Sequence, residues 1–105
     1  MIFDLRIYTL KPGMLGAWLE MYERYGHPTQ VKHCGEPVLY TTTEVGPLNQ
    51  VVHIWKYASQ ADREARRDAL VADPAFQDYL RRSAAMGAHA SQENRILKSV
   101  SFSPL

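Results

Sequence analysis

The segment Gln50–Tyr57 reads Gln-Val-Val-His-Ile-Trp-Lys-Tyr and sets His53, Trp55 and Tyr57 two residues apart. In an extended chain that spacing points all three side chains to one side. An imidazole in a semi-enclosed site can take or give a proton near neutral pH. His53 is therefore the candidate general acid or base, with Trp55 and Tyr57 able to stack on the apolar part of a ligand. Arg6 and Tyr8 share a parity near the start of the chain, as do Glu93 and Arg95 near its end. Two guanidinium groups on one face, Arg6 and Arg95 with Glu93 nearby, could clamp a carboxylate, and Tyr8 could donate a hydrogen bond. Each residue also has a structural reading. His53 could be satisfied by a backbone or tyrosine hydrogen bond, Trp55 could pack at an interface, Tyr8 could sit in the core, and the arginines with Glu93 could brace two surfaces against each other.

Other chemistries lack their signatures. His27, His33, Cys34, His53 and His89 include no histidine pair at helical i, i+4 spacing and no Cys-x-x-Cys clamp, so no metal site is expected. No nucleophile elbow, phosphate-cradling glycine loop or dinucleotide fingerprint is present, so no cofactor is expected. The run Asp62–Asp68 carries charges at helical spacings and reads as a solvated helix face from which Arg66 or Arg67 could reach a pocket mouth. Cys34, the single cysteine, reads as an unremarkable thiol at a helix end and fits a reducing compartment.

The elements that must position these residues are set by periodicity. Phe3, Leu5 and Ile7 alternate with Asp4, Arg6 and Tyr8, a strand ended by Lys11-Pro12-Gly13. From Met14, Leu15, Trp18, Leu19 and Tyr22 recur at helical spacing, and the helix weakens near Gly26 and Pro28. Val38 to Glu44 is rich in β-branched and aromatic residues and reads as a strand. A Gly46-Pro47 turn leads to the third strand, Gln50 to Tyr57. Ser59 and Asp62 resemble a capping box, and Ala61, Ala65 and Ala69 form a small-residue stripe suited to close approach to a sheet. Asp73-Pro74 breaks and restarts the helix, Phe76, Tyr79 and Leu80 continue an apolar face, and Ser91 to Phe102 closes the chain as a last strand.

The order β-α-β-β-α-β is that of an α+β, ferredoxin-like domain with a four-stranded antiparallel sheet and two helices on one face. The 105 residues fit a single domain spanning 1–105. Phe3, Leu5, Ile7, Val52, Ile54 and Ile96 are the expected helix-facing set. The opposite parity holds Arg6, Tyr8, His53, Trp55, Tyr57, Glu93, Arg95 and Leu97, too aromatic to lie bare and too polar for a dry core. The expectation is that this second face meets a second copy, the two sheets enclosing a pocket, or serves as a platform for another partner.

A net charge of +1 argues against a nucleic-acid partner. No long apolar segment or leader-like start is seen, so no membrane partner is expected and the chain reads as cytoplasmic.

Three stretches resemble the NIPSNAP family in the right order: YTLKPGMLGAWLEMYERYG, TTEVGPLNQVVHIWKYASQADREARRDAL and SQENRILKSVSFSP. The middle one, from the Gly-Pro turn through His and Trp to the arginine-rich helix, is the most specific. The resemblance implies a member of the dimeric α/β-barrel superfamily, hence a homodimer joined through the sheet face. It implies no established reaction. The expected role is to bind, or to act as an enzyme on, a small, partly aromatic and anionic organic molecule. Analogy with related barrels suggests a cofactor-independent monooxygenase or isomerase. A non-catalytic interaction or scaffold module is the alternative.

Overall fold

The computed structural model describes residues 1–105 as a slab of about 41 × 36 × 18 Å. Its elements are β1 (Ile2–Leu10), α1 (Leu15–Tyr25), α2 (His27–Cys34), β2 (Leu39–Thr42), β3 (Gln50–Tyr57), α3 (Gln60–Ala72), α4 (Pro74–Met86) and β4 (His89–Lys98). The strands form one antiparallel sheet in the order β2-β3-β1-β4, as the ferredoxin-like reading requires. The helices form a single layer on one face.

Each of the two expected helices is found as a pair, α1 with α2 and α3 with α4, the second pair divided at Asp73-Pro74 as expected. The first helix does not fade at Gly26 but turns there. Pro28 sits in the first turn of α2, where its missing N–H costs nothing. A Cβ on Gly26 would lie 2.8 Å from Tyr22 and 2.9 Å from Tyr79, so only glycine lets the corner pack this tightly. Ser59 caps α3 as expected, its Oγ accepting the Asp62 N–H at 3.0 Å; the Asp62 carboxylate reaches back to the Ala58 N–H at 3.0 Å. Asp73 caps α4 by accepting the Ala75 N–H at 2.9 Å, with Pro74 opening the helix. Gly87 ends α4 in the left-handed conformation (φ 61°), the usual helix stop.

Three local expectations are corrected. The second strand is shorter than Val38–Glu44. The last strand starts at His89 and ends at Lys98, leaving Val100 and Phe102 outside it and exposed. The stripe of Ala61, Ala65 and Ala69 faces outward, and α3 turns Arg63, Arg67 and Leu70 inward instead.

The largest correction concerns which face of the sheet the helices cover. Asp4, Arg6 and Tyr8 of β1 lie beside Trp55, His53 and Val51 of β3, and this parity packs under the helices. His53, Trp55 and Tyr57 are buried in a core with Trp18, Met21, Tyr22, Leu70, Phe76 and Tyr79. Phe3, Leu5, Ile7, Val52 and Ile54 occupy the opposite face, which carries no helix. Ile96 stands beside Asp4 on the helix side, as expected, whereas Glu93, Arg95 and Leu97 belong to the open side with Leu5.

Candidate functional site: a cavity between helices and sheet

The sheet registers arrange the inward residues in rows. One row runs Tyr40, His53, Arg6, Asn94 across β2, β3, β1 and β4; the next pairs Trp55 with Asp4 and Ile96. Above them Trp18 of α1 stacks on Tyr22 (ring centroids 5.4 Å apart), Tyr22 on Tyr40 (5.1 Å) and Tyr40 on His53 (4.4 Å). Four rings thus form a continuous stack from helix to sheet. Tyr8 meets it edge-on, 5.8 Å from Trp18 and 4.8 Å from His53.

His53 is 1% exposed, and its Nδ1 accepts a hydrogen bond from the indole Nε1–H of Trp55 at 2.7 Å. Indole nitrogen can only donate, so Nδ1 carries no proton. Burial, reinforced by the neighbouring Arg6 charge, holds the imidazole neutral with a pKa lowered to about 3. The proton therefore resides on Nε2, which has no hydrogen-bond partner, as is also true of Trp18 Nε1 and the hydroxyls of Tyr40 and Tyr57. The histidine is a fixed donor rather than a poised base.

Asp4 is fully buried, and burial alone would push its carboxyl up. Arg6 at 3.2 Å, Arg63 at 3.0 Å and the Asn94 amide at 3.3 Å outweigh that and hold it below its ordinary value. Arg6 also donates from Nε to the Tyr8 hydroxyl oxygen at 3.2 Å, which leaves the phenol proton free. Tyr22 donates to Gln30 Oε1 at 2.7 Å, so the Gln30 amide nitrogen is the free end of that side chain.

A cavity of about 530 Å³ opens beside this framework, between α1, α2, α3 and α4 above and β1 and β4 below. Arg6, Tyr8, Tyr22, Gln30, Arg67 and Tyr79 line its inner part, and its mouth lies past Ala84, His89 and Gln92. Burial lowers the His89 pKa, which favours a neutral ring at the mouth.

Of the residues singled out in the sequence, Arg6 and Tyr8 line the cavity. His53, Trp55 and Tyr57 lie beneath it in the core and do not line it. Glu93 and Arg95, 3.8 Å apart and both mostly exposed, are on the other face, so Arg6 and Arg95 cannot form one clamp. Arg67 takes the second arginine's place. Asp4, Tyr22, Gln30, Tyr40, Arg63 and Tyr79 were not singled out. An available signal for Asp4 was a carboxylate at the parity of Arg6 and Tyr8, which called for basic residues from a covering helix. Cys34 closes α2, buried, and burial pushes its thiol up. No three His, Cys, Asp or Glu side chains converge as a metal site.

The topology and the single helical layer define the class: an α+β, ferredoxin-like domain. A putative antibiotic biosynthesis monooxygenase from Nitrosomonas europaea shares that fold, with a TM-score of 0.68, 14% identity, and coverage of 95% of this chain and 99% of that one. The chain belongs to the NIPSNAP family, whose model matches residues 3–104. A NIPSNAP family protein of unknown function from Agrobacterium tumefaciens superposes with a TM-score of 0.91 at 40% identity, covering 100% of this chain and 93% of that one. The NipSnap homolog of Dictyostelium discoideum is 34% identical over 85 residues, 80% of this chain and 37% of that protein. The chain thus spans about a third of the length of the curated relatives it matches. No helix is long and apolar enough to cross a membrane.

Proposed function

We propose that this protein binds a small organic molecule in the cavity between its helices and its sheet. The observation that carries the reading is the cavity itself, about 530 Å³ walled by aromatic rings and polar groups from the sheet and all four helices. That combination of apolar wall and a few oriented polar groups is what small-molecule sites have in common. Binding rather than proton transfer by His53 is the centre of the proposal, because the imidazole is neutral, engaged at Nδ1 and outside the lining.

A fragment screen by 1H–15N NMR tests this. Ligands should shift the amides of Tyr8, Tyr22 and Arg67 and the run from Gly87 to Gln92. Ala84 is exposed on α4 at the cavity mouth. The variant A84W should therefore close the mouth, weaken those ligands at least tenfold and move Tm by no more than about 3 °C, under roughly 1 kcal/mol. Hits whose affinity A84W leaves untouched would sink the reading.

The open sheet face supports the second reading, an interaction module. Leu5, Ile7, Val52 and Ile54 are half-buried on this face and Leu97 beside them is exposed, an apolar surface of the kind that marks a protein interface. We propose that a second copy covers it, giving a homodimer that leaves both cavities on the outer sides of the paired sheets.

A further inference from the structure

We infer that the cavity selects an aromatic carboxylate and that Arg67 is the residue that reads its charge; the inference rests on the binding role proposed above. The cavity lining contains two guanidinium groups, Arg6 and Arg67, and no carboxylate. The two differ in what they have left to give. Arg6 shares the buried Asp4 with Arg63 and is bonded to Tyr8, so its donors are largely engaged within the protein. Arg67 is partly buried on the inner side of α3 and forms no ion pair, unlike its neighbours Arg63, held by Asp4, and Arg66, held by Asp62 at 2.9 Å.

Two inner polar groups agree in sign. Tyr8 accepts from Arg6 and so offers its proton; Gln30 accepts from Tyr22 and so offers its amide N–H groups. A surplus positive charge, these two donors and the lack of any carboxylate in the lining favour an anion and disfavour a cation. A carboxylate matches the planar fork of an arginine in two parallel hydrogen bonds. The Tyr8, Tyr22, Phe76 and Tyr79 rings supply faces and edges for an aromatic body.

The probes are 2-naphthoate, its neutral amide 2-naphthamide, and 2-naphthylmethylammonium, titrated by 1H–15N NMR at about 0.1 M salt, where exposed charges are screened beyond roughly 10 Å. Naphthoate should shift the cavity amides and bind at least tenfold tighter than the amide, with the ammonium weakest. Arg67→Gln should bring naphthoate down to the level of naphthamide without moving naphthamide itself. Arg95→Gln, on the open face, should change neither by more than twofold. Equal binding of naphthoate and naphthamide in the cavity, or a preference that survives Arg67→Gln, overturns the charge selection while leaving the binding role standing. Failure of all three probes to shift cavity amides overturns both.

Discussion

At the scale of single residues, His53 shows how one hydrogen bond decides a chemical role. Trp55 can only donate, so it forces the tautomer, and the surrounding rings exclude the water that would stabilise a cation. The imidazole should stay neutral through the physiological range and carry its proton on Nε2. Imidazole 15N shifts should report that tautomer at every pH above about 4. A pKa near 6.5 in the folded protein, the unperturbed value, would refute it. The linkage has a definite sign. A histidine whose folded pKa is lowered to about 3 binds no proton where the unfolded chain already does. Its contribution is fully present above the unfolded pKa of about 6.5 and declines as pH falls from there toward 3, by at most ~1.4 kcal/mol per pH unit. His53→Gln should flatten the part of the urea-stability profile that lies below pH 6.5. Asp4 acts in the same direction only at lower pH, since its carboxyl is already held below the ordinary range.

At the scale of elements, the α1–α2 corner is the feature on which the cavity ceiling depends. Tyr22 and Tyr79 line the cavity and also press on Gly26 from two helices. A methyl group there has nowhere to go, because both contacts are carbons of buried rings, Tyr22 held in the aromatic stack and Tyr79 packed edge to face on it. Gly26→Ala should cost ~1–3 kcal/mol in urea denaturation despite alanine's better helix propensity, and should weaken cavity ligands as Tyr22 shifts. An unchanged or raised stability would show that the corner has room to open.

Much of this layer was legible in the sequence: the bounds of β3, the Ser59 cap, the helix break at Asp73-Pro74 and the apolar stripe of α1 are dictated by local chemistry, and the strand order follows from the ferredoxin-like topology. The side of the sheet that faces the helices was not. The odd residues Phe3, Leu5 and Ile7 are more apolar than Asp4, Arg6 and Tyr8, and hydrophobicity alone turns them toward the helices. That inference holds when the other face meets water. Here the polar parity is inward because α3 supplies Arg63 to Asp4 and α1 supplies Trp18 and Tyr22 to Tyr8 and Tyr40. Arg63 lies far from Asp4 along the chain, beyond the reach of any local pattern. The clamp failed for another reason, the register of β4: Arg6 lies beside Asn94, which sends Arg95 to the other face and leaves Arg67 of α3 as the second arginine of the cavity.

At the scale of the whole molecule, the reversal leaves a consequence for assembly. A sheet whose more apolar face carries no helix leaves room there for the second copy proposed above. The helices cover the other face, and a standard interface would take ~800 Å² from each partner. Leu5, Ile7 and Ile54 are already half-buried, so covering each contributes less than the ~1.5–3 kcal/mol of a full burial, before the cost of association is subtracted. Ile54 stands near the middle of this face, on β3 beside Leu5 and Leu39. A lysine there would carry its charge into a sheet-to-sheet contact but stay solvated in a free protomer. Sedimentation velocity should find the wild type dimeric at low micromolar concentration. I54K should raise the dimer dissociation constant at least a hundredfold while leaving the His53 imidazole signals unchanged, since that ring lies on the other face. A wild type that sediments as a monomer at about 100 μM would remove the second copy from the picture. A dimer that tolerates I54K would mean that the contact uses some other surface, such as the exposed edge of β4.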